Sequence, residues 1–411
     1  MKTKILLLGI IISLFLISCS STPNPITVND DNATVEGVNG VIQDNNELAI
    51  KLYKEINKEG ENLFFSPYSI STAFAMTYEG AKGQTAKEME EVFGFSTNDD
   101  DRRPSFASLY NTINKKDKEY KLSTANALWT NKDYEFLPEY LNTIENYYGG
   151  KTTNLDFSKS TKSAKIINDW VEDQTNNKIK NLVPESAINP MTKMVLTNAI
   201  YFKGDWIKQF EPKDTYETNF KITPENKIKI DMMVQDDSDA KFNYAETDEL
   251  QILEMKYKSK EVSMLVLLPK EDDLTALEES LNTANLAVWN SMLEEQRVDL
   301  YFPKFKLETT YGLNENMINL GMPTAFSEGI ADFSGMDGTK DLFISKVIHK
   351  AFVEVDEQGT EAAAATAIMM GATSAGPMYP IFKADHPFIF IIQEKSTGSI
   401  LFMGKVVNPR G

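Results

Sequence analysis

Apolar positions in this chain fall into two kinds of run. Residues 46–57 carry Leu48, Leu52, Tyr53 and Ile56 on one side, the spacing of an amphipathic helix. Ser66-Pro67 opens a second helix, with proline in the first turn where its missing N–H is not needed. Residues 85–93 and 164–176 read as further helices, the latter aligning Ile166, Ile167, Trp170 and Val171. Residues 195–202 and 262–268 are almost continuously apolar over strand length, which argues for central strands buried on both faces. Segments 300–305, 343–347, 352–355, 388–392 and 401–407 add strands. Helices and strands do not alternate regularly, so the fold class is α+β rather than a doubly wound sheet.

One segment contradicts its own propensity. Residues 361–370, Glu-Ala-Ala-Ala-Ala-Thr-Ala-Ile-Met-Met, hold no Gly or Pro and favour a helix on intrinsic preference. As a strand, Thr360, Ala362, Ala364, Thr366, Ile368 and Met370 share one uncharged face. Such a segment can be a loop in one state and a buried strand in another without leaving a charge in the core.

The chain's ends and composition bound its class. Met1-Lys-Thr-Lys4 is a basic start, residues 5–17 are apolar but short for a membrane span, and Leu16-Ile-Ser-Cys19 closes the run,. This resembles a bacterial lipoprotein signal, with residues 1–19 removed up to Cys19, the only cysteine, which would take the lipid. An ordinary secretory signal is the competing reading. Residues 20–43 read as a flexible polar tether, and residues 44–411, which no linker divides, as one domain. The expected location is the cell envelope, lipid-anchored or secreted. The chain has 60 acidic and 42 basic residues and a net charge of −18, which disfavours nucleic acid as a partner.

Catalysis finds little support. The two histidines, His349 and His386, are far apart in sequence, and no Gly-x-Ser-x-Gly elbow exists,. A lone pair of histidines is also a poor start for a zinc site. On sequence alone His349 reads as a hydrogen-bonded structural histidine and Trp206 as core.

Ordered motifs along residues 45–411 carry a resemblance to a known family. Asn62-Leu-Phe-Phe-Ser-Pro-Tyr-Ser-Ile-Ser-Thr-Ala-Phe-Ala-Met76, Thr197-Asn-Ala-Ile-Tyr-Phe-Lys-Gly-Asp-Trp206, Leu300-Tyr-Phe-Pro-Lys-Phe305, Ser345-Lys-Val-Ile-His-Lys-Ala351, Asp385-His-Pro-Phe-Ile-Phe390 and Leu401-Phe-Met-Gly-Lys-Val-Val-Asn-Pro409 together resemble the serpins, of the inhibitory type. The resemblance implies eight to nine helices around three β-sheets and an exposed reactive-centre loop at about 357–382. It implies a hinge at Glu357, Gly359, Thr360, Glu361, Ala362, Ala363, Ala364, Ala365 and Thr366, with Gly359 supplying backbone freedom. Ser66, Ser69, Asn198 and His349 match the shutter where the main sheet parts, and Trp206 matches the breach above it. Counting from Glu357 places the scissile bond between Thr373 and Ser374, with Met370, Gly371 and Ala372 as alternative registers.

The implied activity is irreversible inhibition of serine proteases, and of papain-like cysteine proteases, by loop cleavage and insertion. The protein would then be a monomeric inhibitor and not an enzyme, needing no cofactor or metal. Residues 360–382 contain no Lys or Arg, so elastase-like or subtilisin-like targets are favoured over trypsin-like ones. A non-inhibitory binding protein and an envelope hydrolase are the alternatives.

Overall fold

The computed structural model describes residues 27–115, 119–360 and 379–411. Ten α-helices and three sheets appear among them. The main sheet has six strands in the order Phe305–Gly312, Ile344–Val355, Gly359–Thr360, Met194–Asp205, Tyr120–Asn131, Lys151–Leu155. A seven-stranded sheet runs Leu63–Phe65, Ile400–Val406, Phe388–Glu394, Val262–Pro269, Leu250–Lys256, Lys241–Glu246, Glu294–Arg297. A four-stranded sheet combines Ile381–Lys383, Asp299–Pro303, Lys227–Gln235 and Tyr216–Lys221.

The main sheet is covered on both faces. One face packs Ala199, Tyr201, Ile348 and Phe352 under the Ser160–Gln174 helix through Ile167 and Val171. The other sets Ile200, Phe202, Ala351 and Val353 against the core of the seven-stranded sheet. Met194–Asp205 and Ile344–Val355 therefore read as near-continuous apolar runs, as strands buried on two faces must. At the centre of the molecule the Pro67–Tyr78 helix is buried at all twelve positions. Its polar members are small hydroxyls that find partners inside, Thr72 and Thr77 on the Tyr68 and Ala73 carbonyls and Ser69 on Asn126,, and Ser66 starts it by accepting the Ser69 N–H,.

Several expected boundaries move. The first helix runs Val35–Ile56 instead of starting at 46, so residues 35–43 of the expected tether are helical. Thr34 caps it by accepting the Gly37 N–H, and Val28 packs in the core nearby. The expected strand 300–305 is two strands in different sheets, with Lys304 at the crossing. Segments 343–347 and 352–355 form one strand, Ile344–Val355. Its polar middle is accommodated because His349 is hydrogen-bonded in the interior and the Lys350 ammonium donates to the Lys180 carbonyl and pairs with Glu308.

Candidate functional site

Two polar constellations lie on the main sheet, about six residues or roughly 20 Å apart along the Met194–Asp205 strand,. The lower one spans four strands in register: Asn126 opposite Asn198, Asn198 opposite His349, His349 opposite Tyr311. His349 is fully buried, and its neighbours fix its tautomer. Nε2 accepts the Ser66 backbone N–H at 3.2 Å, so Nδ1 carries the proton and donates to Asn198 Oδ1,. Burial pulls the imidazole from 6.5 down to about 3, keeping it neutral,. The Asn198 amide donates to Ser69 Oγ at 2.5 Å and to Asn126 Oδ1. Ser69 Oγ donates to Asn126 Oδ1 at 3.1 Å, and Ser66 Oγ donates to the Leu401 carbonyl at 2.6 Å. Tyr311 stacks parallel to His349 at 6.3 Å.

The upper constellation is a tight turn. Leaving the Ile344–Val355 strand, the chain reverses at Asp356, whose backbone N–H donates to the Gly359 carbonyl at 2.9 Å and whose Oδ1 accepts the Gln358 N–H at 2.9 Å,. Glu357 is buried, with Lys304 Nζ at 2.8 Å and the Thr215 hydroxyl at 2.9 Å. Burial pushes its carboxyl up, but the donors from Lys304 and Thr215 outweigh this and hold it below the ordinary value. Trp206 clamps the turn from below: its backbone N–H donates to Gln358 O at 2.8 Å and its indole to Asp356 O at 3.1 Å. The indole stacks on Tyr257 at 4.5 Å.

Past the turn, Gly359–Thr360 is a two-residue strand. It pairs antiparallel with Val355 on one side and with Asp205 and Gly204 on the other. Below it, Ile344–Val355 and Met194–Asp205 pair directly, in parallel. Thr360 is wholly buried and its hydroxyl meets the Tyr257 hydroxyl at 2.8 Å. Gly359 has a different role from that read in the sequence: its backbone is not in the left-handed region, and a Cβ there would sit 2.1 Å from the Gly204 carbonyl oxygen. Space, not backbone freedom, requires glycine.

Ser66, Ser69, Asn198 and His349 are thus brought together, and at the other end of the seam Trp206 holds, through Asp356 and Gln358, the turn that carries Glu357, Gly359 and Thr360. Glu361, Ala362, Ala363, Ala364, Ala365, Thr366, Met370, Gly371, Ala372, Thr373, Ser374 and Cys19 lie outside the described residues. Asn126, Tyr311, Tyr257, Lys304 and Thr215 complete the two constellations and were not singled out from the sequence. A lone asparagine within the apolar Ala125-Asn126-Ala127-Leu128 stretch was the one available signal.

Comparison with known proteins gives consistent matches. The profile of the serpin (serine protease inhibitor) family matches residues 43–409. The chain is 42% identical over 372 residues to Serpin B6 of Pongo abelii, covering 89% of this chain and 98% of that protein. It is 40% identical over 377 residues to leukocyte elastase inhibitor A of Rattus norvegicus, again covering 89% and 98%. Among solved structures it is similar to human thyroxine-binding globulin complexed with thyroxine, with a TM-score of 0.81 and 33% identity over 91% of this chain and 100% of the other.

Proposed function

This chain belongs to the serpin family, and from that premise we propose that it is an irreversible suicide-substrate inhibitor of serine proteases and of papain-like cysteine proteases. Members of the family are generally protease inhibitors rather than enzymes, although some are non-inhibitory. The observation that carries the inhibitory reading is the Gly359–Thr360 strand, already seated between the two strands that pair in parallel beneath it.

Continuing its two antiparallel registers by one residue at a time puts Glu361 between Glu354 and Lys203, and Ala362 between Val353 and Phe202. Ala363 then falls between Phe352 and Tyr201, and Thr366 between His349 and Asn198. In the closed sheet Phe352 and Tyr201 are direct partners with their rings 6.3 Å apart; an entering strand parts them to two strand spacings, roughly 10 Å, with residue 363 between the two rings. Position 361 falls between two half-buried charged residues, Glu354 and Lys203, and carries a Glu; the deeper places flank buried residues and suit small, uncharged side chains, and residues 362–367 read Ala-Ala-Ala-Ala-Thr-Ala.

In the proposed reaction the protease nucleophile attacks the Thr373 carbonyl, the amine of Ser374 leaves, and an acyl-enzyme forms. The freed proximal segment then enters the main sheet; serpin reactive-loop insertion is a known instance of strand addition. Elastase-like and subtilisin-like enzymes are the favoured targets, because no Lys or Arg lies between residues 360 and 382. The proposed location is the cell envelope, lipid-anchored through Cys19 or secreted; loss of fatty-acid labelling in Cys19→Ala tests the anchored form.

The test of inhibition is incubation with elastase, subtilisin, trypsin and papain, followed by denaturing electrophoresis and mass analysis of the released peptide. A denaturant-resistant complex with elastase or subtilisin, cut between Thr373 and Ser374, is expected. Clean cleavage with no complex and no gain in heat stability sinks the proposal. It would favour the second reading, a binding protein, for which the observation is a cavity of about 460 Å3 between the Thr283–Ser291 helix and the seven-stranded sheet, lined by Leu286, Asn290, Ile391 and Gln393.

A further inference from the structure

A second cavity gathers cations in a chain whose net charge is −18. It measures about 490 Å3 and opens beside Trp206, among the strands Lys241–Glu246, Leu250–Lys256 and Glu294–Arg297. Lys208, Lys241, Lys256, Lys260 and Lys395 line it, against two carboxylates, Glu254 and Glu295. Glu254 is already satisfied. Only 1% exposed, it receives Lys395 Nζ, Ser263 Oγ at 2.7 Å and Asn243 Nδ2 at 2.6 Å. Lys208, Lys241, Lys256 and Lys260 form no ion pair among the described residues, and the Lys256 ammonium donates to Asn243 Oδ1 at 3.4 Å.

Like charges converging on one concavity repel one another and raise the local concentration of counter-ions of the opposite sign. The rest of the wall is mostly apolar: the exposed Ile207 side chain, the edges of the buried Phe242, Met255 and Trp206, and the amide of Asn243. A concave, largely apolar wall with a few convergent charged groups is the usual composition of a small-molecule site.

We infer that this cavity binds an amphiphilic polyanion, a molecule with an apolar ring or chain that carries two or more sulfate, carboxylate or phosphate groups. The apolar part covers Ile207 and the edges of Phe242 and Met255 while the anionic groups reach the lysine rim. Trp206 also holds the turn through Gln358 O and Asp356 O, and the next residue, Ile207, donates its N–H to the carbonyl of Lys256 in the cavity wall at 3.0 Å. Occupancy therefore stiffens the turn from which the 359–360 strand emerges. The inference goes beyond the inhibitory reading and does not need it, since its test involves no protease.

The probe is naphthalene-1,5-disulfonate, titrated calorimetrically into the full chain at low salt, with sodium sulfate alone as the control. Binding at micromolar to sub-millimolar concentration is expected, at least tenfold weaker in Lys241→Gln/Lys256→Gln and unchanged in Lys51→Gln, a lysine remote from the cavity. Both variants should keep the wild-type melting temperature. Hydrogen exchange at the Trp206 and Phe210 amides, which donate to Gln358 O and Glu357 O, should slow several-fold in the loaded protein. Absence of binding at millimolar probe, equal affinity in the double variant, or equal binding by sulfate overturns the site. Binding without slowed exchange overturns its coupling to the turn.

Discussion

Replacing Thr360 by arginine tests whether the seated strand is the start of loop insertion. Thr360 is wholly buried, faces the Tyr257 hydroxyl at 2.8 Å and pairs with Val355 and Gly204. An arginine there cannot shed its charge, and burying an unpaired guanidinium costs several kcal/mol. The cheaper response is to expel the two residues from the sheet. That forfeits two or three hydrogen bonds at about 1 kcal/mol each, about 2–3 kcal/mol in all. The variant then starts from an expelled strand and must put residues 359–360 back into the sheet as the segment enters the seam, against at least this cost, so insertion slows by about 100-fold.

In the proposed mechanism each acyl-enzyme either is trapped or deacylates. Where insertion beats deacylation by about ten to one in the wild type, the ratio falls to about one to ten in Thr360→Arg, and the moles of inhibitor consumed per mole of elastase rise from near one to about ten. Thr360→Val removes the hydroxyl but no more, costs about 1 kcal/mol and should leave that stoichiometry below about two. The assay is titration of residual elastase activity, with cleavage rates followed by electrophoresis. A stoichiometry near one in Thr360→Arg, with normal cleavage, would refute the reasoning.

Three further outcomes follow from the same geometry. His349, lowered from 6.5 to about 3, stabilises the fold above pH 6.5 and loses that contribution as pH falls toward 3. Denaturant midpoints should drop across this window, by up to about 4–5 kcal/mol in unfolding free energy; a flat profile there would count against the buried neutral imidazole. Lys304→Met leaves the buried Glu357 carboxylate without its ammonium, so unfolding free energy should fall by about 2–4 kcal/mol and exchange at the Phe210 amide should quicken. Asp44 is raised to about 7, by burial first and by Glu47 second. A raised carboxyl stabilises the fold fully below 3.8 and loses that contribution as pH rises through 7. Asp44→Asn should therefore be more stable than wild type at pH 8, by about 1–2 kcal/mol after screening, and equal to it near pH 4.

How much of this was legible depended on whether a residue's role is local. Ser66-Pro67 announces a helix start by chemistry that needs only its neighbours, and the apolar Val262–Pro269 run announces a buried strand. The first helix hid its opening because Gly37, Asn39 and Gly40 interrupt the apolar spacing of Val35, Val38, Val41 and Ile42. The Tyr120–Asn131 strand escaped because its first half, Lys-Leu-Ser-Thr, is mostly polar and at least half-exposed. Lys304 and Thr215 are ordinary surface residues by sequence; only the fold brings them 53 and 142 positions along the chain to Glu357. The requirement for glycine at 359 was visible, but its cause, a carbonyl from another strand, was not.

The position of the polar row follows from the seam it crosses. The Nδ1–H of His349 donates to Asn198 Oδ1 between the two strands that pair in parallel. A strand entering there must break that contact and would exchange one parallel ladder for two antiparallel ones, a pairing somewhat stronger per residue. An apolar pair at this point would separate without leaving an unmet hydrogen bond, but it would also give the closed sheet no directional lock. A buried His and Asn do the reverse: each is costly to leave unpaired, so the sheet stays shut until something replaces both partners. In the register set by Val355–Thr360 and Gly204–Thr360, the residue delivered between them is Thr366, whose hydroxyl can accept from His349 and donate to Asn198. Alanines on either side supply no such group. Thr366→Val should therefore leave the uncut protein unchanged and reduce the heat stability of the cleaved form, and equal melting of the two cleaved proteins would place the register elsewhere.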